Sequence, residues 1–213
     1  MRYAPIFIVG VMAPALHLYA QEQTTPPKVQ GIAPRATPAD YQFHARAGSL
    51  TVAAEFTGHS VATPDGTLTT DDYVVIETAV YGPPGARTTL SSGDFSLRIN
   101  GKKPVTGQPY GLVVKTLRDL ELEPTASEQK SKTSVGTGGQ SDAGSTPAPY
   151  RVPDALRHEW RLRLQKASLP EGDRALPQAG LVYFPYRGKA EKIQSIELTY
   201  AGPAGQVTLP LQP

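Results

Sequence analysis

The sequence predicts a mainly β chain, folded as an antiparallel β-sandwich with one short helix and one long disordered loop. Three observations lead there. Apolar residues recur with a period of two in several separate segments, the pattern of a strand with one buried face. Turn-forming runs punctuate those segments, "TPDGT" at 63–67, "GPPGA" at 82–86, "INGKK" at 99–103 and "GPAGQ" at 202–206. Finally, 20 glycines and 21 prolines in 213 residues mark a chain that turns often, which favours many short strands over long helices.

The N-terminus sets the expected compartment. "MRYAPIFIVGVMAPALHLYAQEQ" has a basic Arg2, an apolar run from Ala4 to Leu16, and "HLYA" before a polar stretch. Residues 1–20 read as a secretory signal peptide, cleaved after Ala20, although Leu18 is larger than the small residue preferred there. An uncleaved anchor is the competing reading; the run is short for a membrane span and is broken by Pro5, Gly10 and Pro14. The expected location is therefore periplasmic or extracellular, with no membrane span once the signal is removed. The chain has no cysteine, so disulfides, thiolate metal sites and a lipid-modified terminus are excluded. With 21 basic against 19 acidic residues, nothing in the charge demands nucleic acid or a membrane surface as partner.

Residues 21–40, "QEQTTPPKVQGIAPRATPAD", hold four prolines and no apolar periodicity, and read as a disordered tether. A single domain is then expected over 41–213. In "SLTVAAEF" (49–56) Leu50, Val52, Ala54 and Phe56 share a face; in "YVVIETAVY" (73–81) Val74, Ile76, Thr78 and Val80 do. "DFSLRIN" points Phe95, Leu97 and Ile99 inward and Ser96 and Arg98 outward, and "YGLVVKTL" (110–117) and "IQSIELTY" (193–200) continue the series as strands. Residues 123–150, rich in Ser, Thr and Gly, have almost nothing to bury and read as a flexible insertion.

Residues 153–167 break the pattern. In "PDALRHEWRLRLQKA", Leu156, Trp160 and Leu164 recur every four residues, and Asp154 stands in a plausible N-cap position, so a short amphipathic helix is expected over an open end of the sandwich. A strand is the alternative, because "WRLRLQ" also alternates. A faint echo links "AVYGPPGARTTL" to "LTYAGPAGQVTL", either a duplicated hairpin or chance reuse of a good turn.

"DDYVVIETAVYGPPGARTTLSSGDFSLRINGKKPVTGQPY" resembles the bacterial secreted and lipoprotein immunoglobulin-like domains of unknown function, found as uncharacterised exported proteins of environmental bacteria. The shared pattern is a "YVVV"-like strand, a short reversal, a Leu-Ser-x-x-Asp-Phe-x-Leu strand entry and a "GK" turn; "AGLVYFPYRGKAEKIQSIELTY" is similar to the closing portion. The resemblance covers roughly residues 45–118 and 178–211 and implies an immunoglobulin-like β-sandwich, with no activity attached. The chain departs from it in lacking the lipoprotein cysteine and in carrying the insertion and helix.

Asp94, after "SSG" and before an inward-facing triplet, reads as a turn residue leading into a strand. Asp65, Asp71 and Asp72 in "TPDGTLTTDD" are the candidate calcium ligands, since Ca²⁺ takes several loop oxygens; the spacing is not an EF-hand, and turn formation explains the same residues. No other cofactor is expected. Tyr183, Phe184 and Tyr186 in "VYFPYRGK" are a candidate aromatic platform, or else core and rim, with Pro185 indicating an edge strand or bulge. Arg157, His158, Arg161, Arg163 and Lys166 form a candidate docking face on the helix, or a solvated surface. Outside the signal, His44, His59 and His158 are spaced unlike a zinc site, and no "GxSxG" elbow accompanies them, so no catalytic residues are assigned.

The reading that follows is a non-catalytic, exported binding or assembly module that acts through sandwich edges and loops on another envelope or extracellular protein. The alternatives are a carbohydrate- or calcium-binding accessory domain, and a hydrolase with an unrecognised site.

Overall fold

The computed structural model describes residues 31–118 and 152–213; the expected signal peptide and the expected 123–150 insertion lie outside the described residues. The chain is mainly β, with several antiparallel sheets and few helices. In order, its strands are β1 (Phe43–Ala47), β2 (Leu50–Phe56), β3 (Ser60–Thr63), β4 (Gly66–Thr70), β5 (Tyr73–Tyr81), β6 (Arg87–Leu90), β7 (Phe95–Ile99), β8 (Val105–Thr106) and β9 (Leu117–Arg118). After the undescribed stretch come β10 (Gly172–Ala175), β11 (Gln178–Pro185), β12 (Ile196–Gly202) and β13 (Gly205–Leu211). Two α-helices, α1 (Tyr110–Val113) and α2 (Asp154–Ala167), and four short 3-10 turns complete the described residues.

Two four-stranded antiparallel sheets, ordered β1-β2-β5-β11 and β13-β12-β7-β8, share one apolar cluster. The expected period-two sets supply it. Leu50, Val52 and Ala54 of β2 and Val74, Ile76 and Val80 of β5 meet Phe95, Leu97 and Ile99 of β7 and Leu198 and Tyr200 of β12. Each large aliphatic or aromatic side chain so buried contributes on the order of 1.5–3 kcal/mol. Thr78 also points inward, and its hydroxyl finds no partner there.

The other face of the first sheet is covered as well, which the alternation did not announce. A three-stranded sheet, β3-β4-β9, and helices α1 and α2 bring Val61, Leu68, Val113, Trp160 and Leu164 onto Val75, Leu181 and Tyr183. Helix α2 therefore lies on the outer face of this sheet, not over an open end. Two details of its expected start also change. Pro153 occupies the N-cap, so Asp154 is the first helical residue, and its carboxylate pairs with Arg157 one turn on instead of capping the helix.

"YGLVVKTL" is not a strand. Pro109 leads into α1, a 3-10 turn follows at Val114–Thr116, and extended structure resumes at Leu117. Val113 and Val114 are adjacent and both buried in one cluster, which a strand forbids because neighbouring side chains leave opposite faces. The echo also resolves: β12 and β13 pair as a hairpin through "GPAGQ", whereas β5 pairs with β2 and β11 while β6 pairs with β10. The first copy is a crossing between sheets.

Packed chain begins before Tyr41. Residues 31–40, expected in the tether, run across the outer face of the first sheet. Ile32 bridges to Ala179 of β11, and Tyr41 seals a floor of Ala53, Ala79 and Ala179. Between these, the Arg35 guanidinium reaches both Glu55 and Glu77 and lies 4.4 Å over the Tyr41 ring. Small residues in three adjacent strands let a second layer of backbone lie flat on the sheet.

Candidate ligand pocket at the edge of β11

β11 is an edge strand, as Pro185 at its end suggested, but its free edge is not bare. Three separate segments hydrogen-bond to it: the Ile32 N–H donates to the Ala179 carbonyl (3.1 Å), Leu169 to Leu181 (3.0 Å) and Gln108 to Tyr183 (2.8 Å). The middle contact is made where the chain leaving α2 passes around the strand. Ala167 belongs to the outer cluster and Leu169 to the inner one, so the crossing takes place at Ser168. Gly180 allows it, because a Cβ there would collide with the backbone of Ser168 and Leu169.

A pocket of about 170 Å³ opens beside this crossing. Its walls are Leu169, Pro170, Leu181 and Pro109; Gln108, Tyr110 and Gln165 form part of the rim. The polar floor consists of Ser92, Ser168 and Tyr183, and Glu171 lines the pocket from an exposed position. Ser92 donates both its N–H (3.2 Å) and its hydroxyl (2.7 Å) to one oxygen of Glu171, tying the turn before β7 to the loop before β10. The Ser168 hydroxyl donates to the Leu164 carbonyl (2.6 Å), so its 3.0 Å contact with the Tyr183 hydroxyl has the tyrosine as donor. Burial pushes the Tyr183 hydroxyl far above its ordinary range, which keeps that proton in place.

Asp94 lies close to this floor, in the 3-10 turn Ser92–Asp94. It is a turn residue as expected, with its N–H bonded to the Ser91 carbonyl, although the capping side chain is Ser91, which accepts from Gly93. Burial raises the Asp94 carboxyl above its usual value, the hydrogen bond with the Ser91 backbone opposes it, and the charge of Glu171 adds a lesser upward push.

The expected aromatic platform does not form. Tyr183 and Phe184 leave opposite faces of β11 and are both buried, one in each cluster, as strand geometry requires of neighbours. Tyr186 lies apart, stacked on His59 with ring centroids 6.1 Å apart. Tyr183 lines a pocket all the same.

Nor are the candidate calcium ligands drawn together. Asp65 sits at the tip of the β3–β4 hairpin, Asp71 pairs with Arg118 (3.0 Å) and Asp72 with Arg187 (3.0 Å). Among the described residues no three His, Asp or Glu side chains gather as a metal site. On α2, Arg157 is paired to Asp154 and Arg163 to Glu159, while Arg161 stands exposed.

A second, wider groove contains His59, Ser60 and Asp71 among its lining residues, the residue types of a hydrolytic triad. Their hydrogen bonds are not those of a triad. The His59 ring nitrogens face the carbonyls of Tyr73 (2.7 Å) and Gly188 (2.8 Å), and Asp71 is taken by Arg118. His59 ties β5 to the loop after β11.

The pocket residues come from positions 92, 108, 168, 171 and 183, too dispersed for a spacing argument to collect them. One sequence signal bears on their assembly: the glycine inside the apolar run "QAGLVYFP", since glycine within a strand marks close approach of another backbone. Comparisons with protein-family models, with curated proteins and with solved structures returned no match to this chain. Among the described residues no helix is long and apolar enough to cross a membrane.

Proposed function

We propose that this chain is a non-catalytic, exported binding or assembly module, built on an immunoglobulin-like β-sandwich and working on another envelope or extracellular protein. The observation that carries the reading is the pocket at the edge of β11, a preformed cavity with a fixed polar floor at the meeting of three loops. Its volume of about 170 Å³ suits one side chain or one small group, near the ~150 Å³ cavity that accepts benzene and below the ~300 Å³ of ordinary small-molecule sites. Addition of a partner strand is disfavoured at β11, whose outward carbonyls at Ala179, Leu181 and Tyr183 are already taken. Engagement of both His59 nitrogens by main chain supports the non-catalytic reading.

The test is site-specific photocrosslinking in the native host. A crosslinker in place of Gln165, on the pocket rim, captures one dominant envelope or extracellular protein, and the same group in place of exposed Gln206 on β13 does not. Capture of nothing from position 165, or of the same mixture from both positions, overturns the proposal.

A further inference from the structure

Donors of the pocket lining at positions 92, 108, 168, 169 and 183 are already committed. The N–H groups of Ser92, Gln108, Ser168 and Leu169 go to Glu171, Tyr183, Leu164 and Leu181 respectively. Two other lining residues, Pro109 and Pro170, have no N–H to offer. The hydroxyl protons of Ser92, Ser168 and Tyr183 go to Glu171, Leu164 and Ser168 in turn. A hydroxyl has one proton and two lone pairs, so after this accounting Tyr183 retains acceptor capacity. So does Glu171, whose second carboxylate oxygen takes no bond from Ser92.

Charge points the same way. Among the described residues, Glu171 is the single charged one that lines the pocket. Its carboxylate accepts from Ser92, and the Arg174 Nε donates to the main-chain carbonyl of the same residue (3.0 Å). Asp94, one turn away, adds to the negative field. Leu169, Leu181 and the ring of Tyr110 supply the apolar part of the lining. A guest that matches all three properties is small, rich in hydrogen-bond donors at one end, positively charged there, and alkyl behind it.

We propose that this pocket takes a primary alkylammonium, with the cationic head on the free carboxylate oxygen of Glu171 and the methylene stem against the apolar part of the lining. The inference rests on the binding-module reading above and deepens it by naming the chemistry the pocket selects. A carboxylate guest would meet the charge of Glu171 and the acceptor side of the Tyr183 hydroxyl. A lysine side chain of a partner and a free diamine share the required chemistry.

The experiment is titration of the isotopically labelled chain, followed by backbone amide resonances, with cadaverine and with a blocked tripeptide carrying a central lysine. Both are expected to shift Leu169, Leu181 and Glu171, while peptides with norleucine or acetyl-lysine at the centre bind at least tenfold more weakly. Tighter binding of the peptide than of cadaverine identifies a protein lysine as the source, and the reverse order identifies a free amine. Glu171→Gln keeps an oxygen for Ser92 and is expected to lose at least tenfold in affinity; Gln165→Glu adds a rim charge and is expected to gain. Equal binding of the lysine and acetyl-lysine peptides, unchanged affinity in Glu171→Gln, or no response to any amine at millimolar concentration overturns the ammonium assignment. Capture from position 165 would then still leave the binding module standing, whereas amine binding without any capture would remove the protein partner and keep the ammonium site.

Discussion

Arg35 offers the sharpest test of how the N-terminal segment is held. Glu55 and Glu77 are directly opposite one another on β2 and β5, a like-charged cross-strand pair that the sheet tolerates because one guanidinium spans both. Replacing Arg35 with Met keeps most of the apolar stem and removes the charge. The pair to Glu55 is about one third exposed on both sides and is worth roughly 0.5 kcal/mol. The contact with Glu77, whose side chain is 16% exposed, lies toward the upper end of that range, about 1 kcal/mol. Loss of the stacking on Tyr41 costs about 0.5–1 kcal/mol, and the uncovered Glu55–Glu77 repulsion a few tenths more, roughly. The expected total is about 2.5 kcal/mol, or roughly 5–10 °C in Tm for a chain of this size.

Urea and thermal unfolding of the wild type, Arg35→Met, Glu77→Gln and the double variant measure it. The double variant should regain part of the loss, because repulsion from Glu55 has gone with the charge at position 77. High salt, about 1 M, should shrink the difference between wild type and Arg35→Met, since the Debye length there is only about 3 Å. An Arg35→Met loss under about 0.5 kcal/mol, or a double variant no better than additivity predicts, would refute the clasp.

Gly180→Ala places a Cβ against the backbone of Ser168 and Leu169; the expected cost is about 1–3 kcal/mol in urea unfolding, accompanied by a change in the amide resonances that line the pocket. Trp160→Phe removes an indole N–H that is buried with no partner among the described residues, so its thermal midpoint should stay level or rise, whereas Trp160→Ala should cost about 3–5 kcal/mol in the same assay. Asp94 binds its proton more tightly folded than unfolded, so its favourable contribution is complete below the unfolded value and is lost as pH rises through the folded one. Asp94→Asn is therefore expected to gain stability over wild type near pH 7 and to lose that advantage near pH ~3, below the ordinary aspartate range, as thermal melts at the two pH values would show.

Much of the inner core was legible because one residue in two along β2, β5 and β7 had to be apolar whatever else the chain did. The outer face was not. β5 and β11 are buried on both sides, and a strand covered twice reads as an apolar run with no phase, so Val75, Leu181 and Tyr183 carried no separate sign of α2 above them. Under residues 31–41 the cover rests on alanines, which propensity treats as weak strand residues although here their small size is what admits the second layer. "YGLVVKTL" misled for a related reason: eight residues of mixed polarity fit either period, and the adjacent buried valines distinguish them only once their common neighbours are known. Glu55 and Glu77, invisible as a pair in the sequence, acquire meaning from register alone.

The pocket is a consequence of covering both faces of an edge strand with one chain. Helix α2 lies outside β11 and Leu169 inside it, so the intervening backbone must pass around the strand, and it can do so closely only where a residue lacks a side chain. A close crossing satisfies one edge carbonyl and leaves flanking space that the next covering segment, at Gln108, does not fill. Whatever lines that space must settle its own buried polar groups first, and here they settle by spending protons: Tyr183 on Ser168, Ser168 on Leu164, Ser92 on Glu171. Two separate donation paths, one ending on the Leu164 carbonyl and one on the Glu171 carboxylate, leave acceptor capacity at Tyr183 and Glu171. Selectivity for a donor-rich cation thus follows from the way the edge is closed.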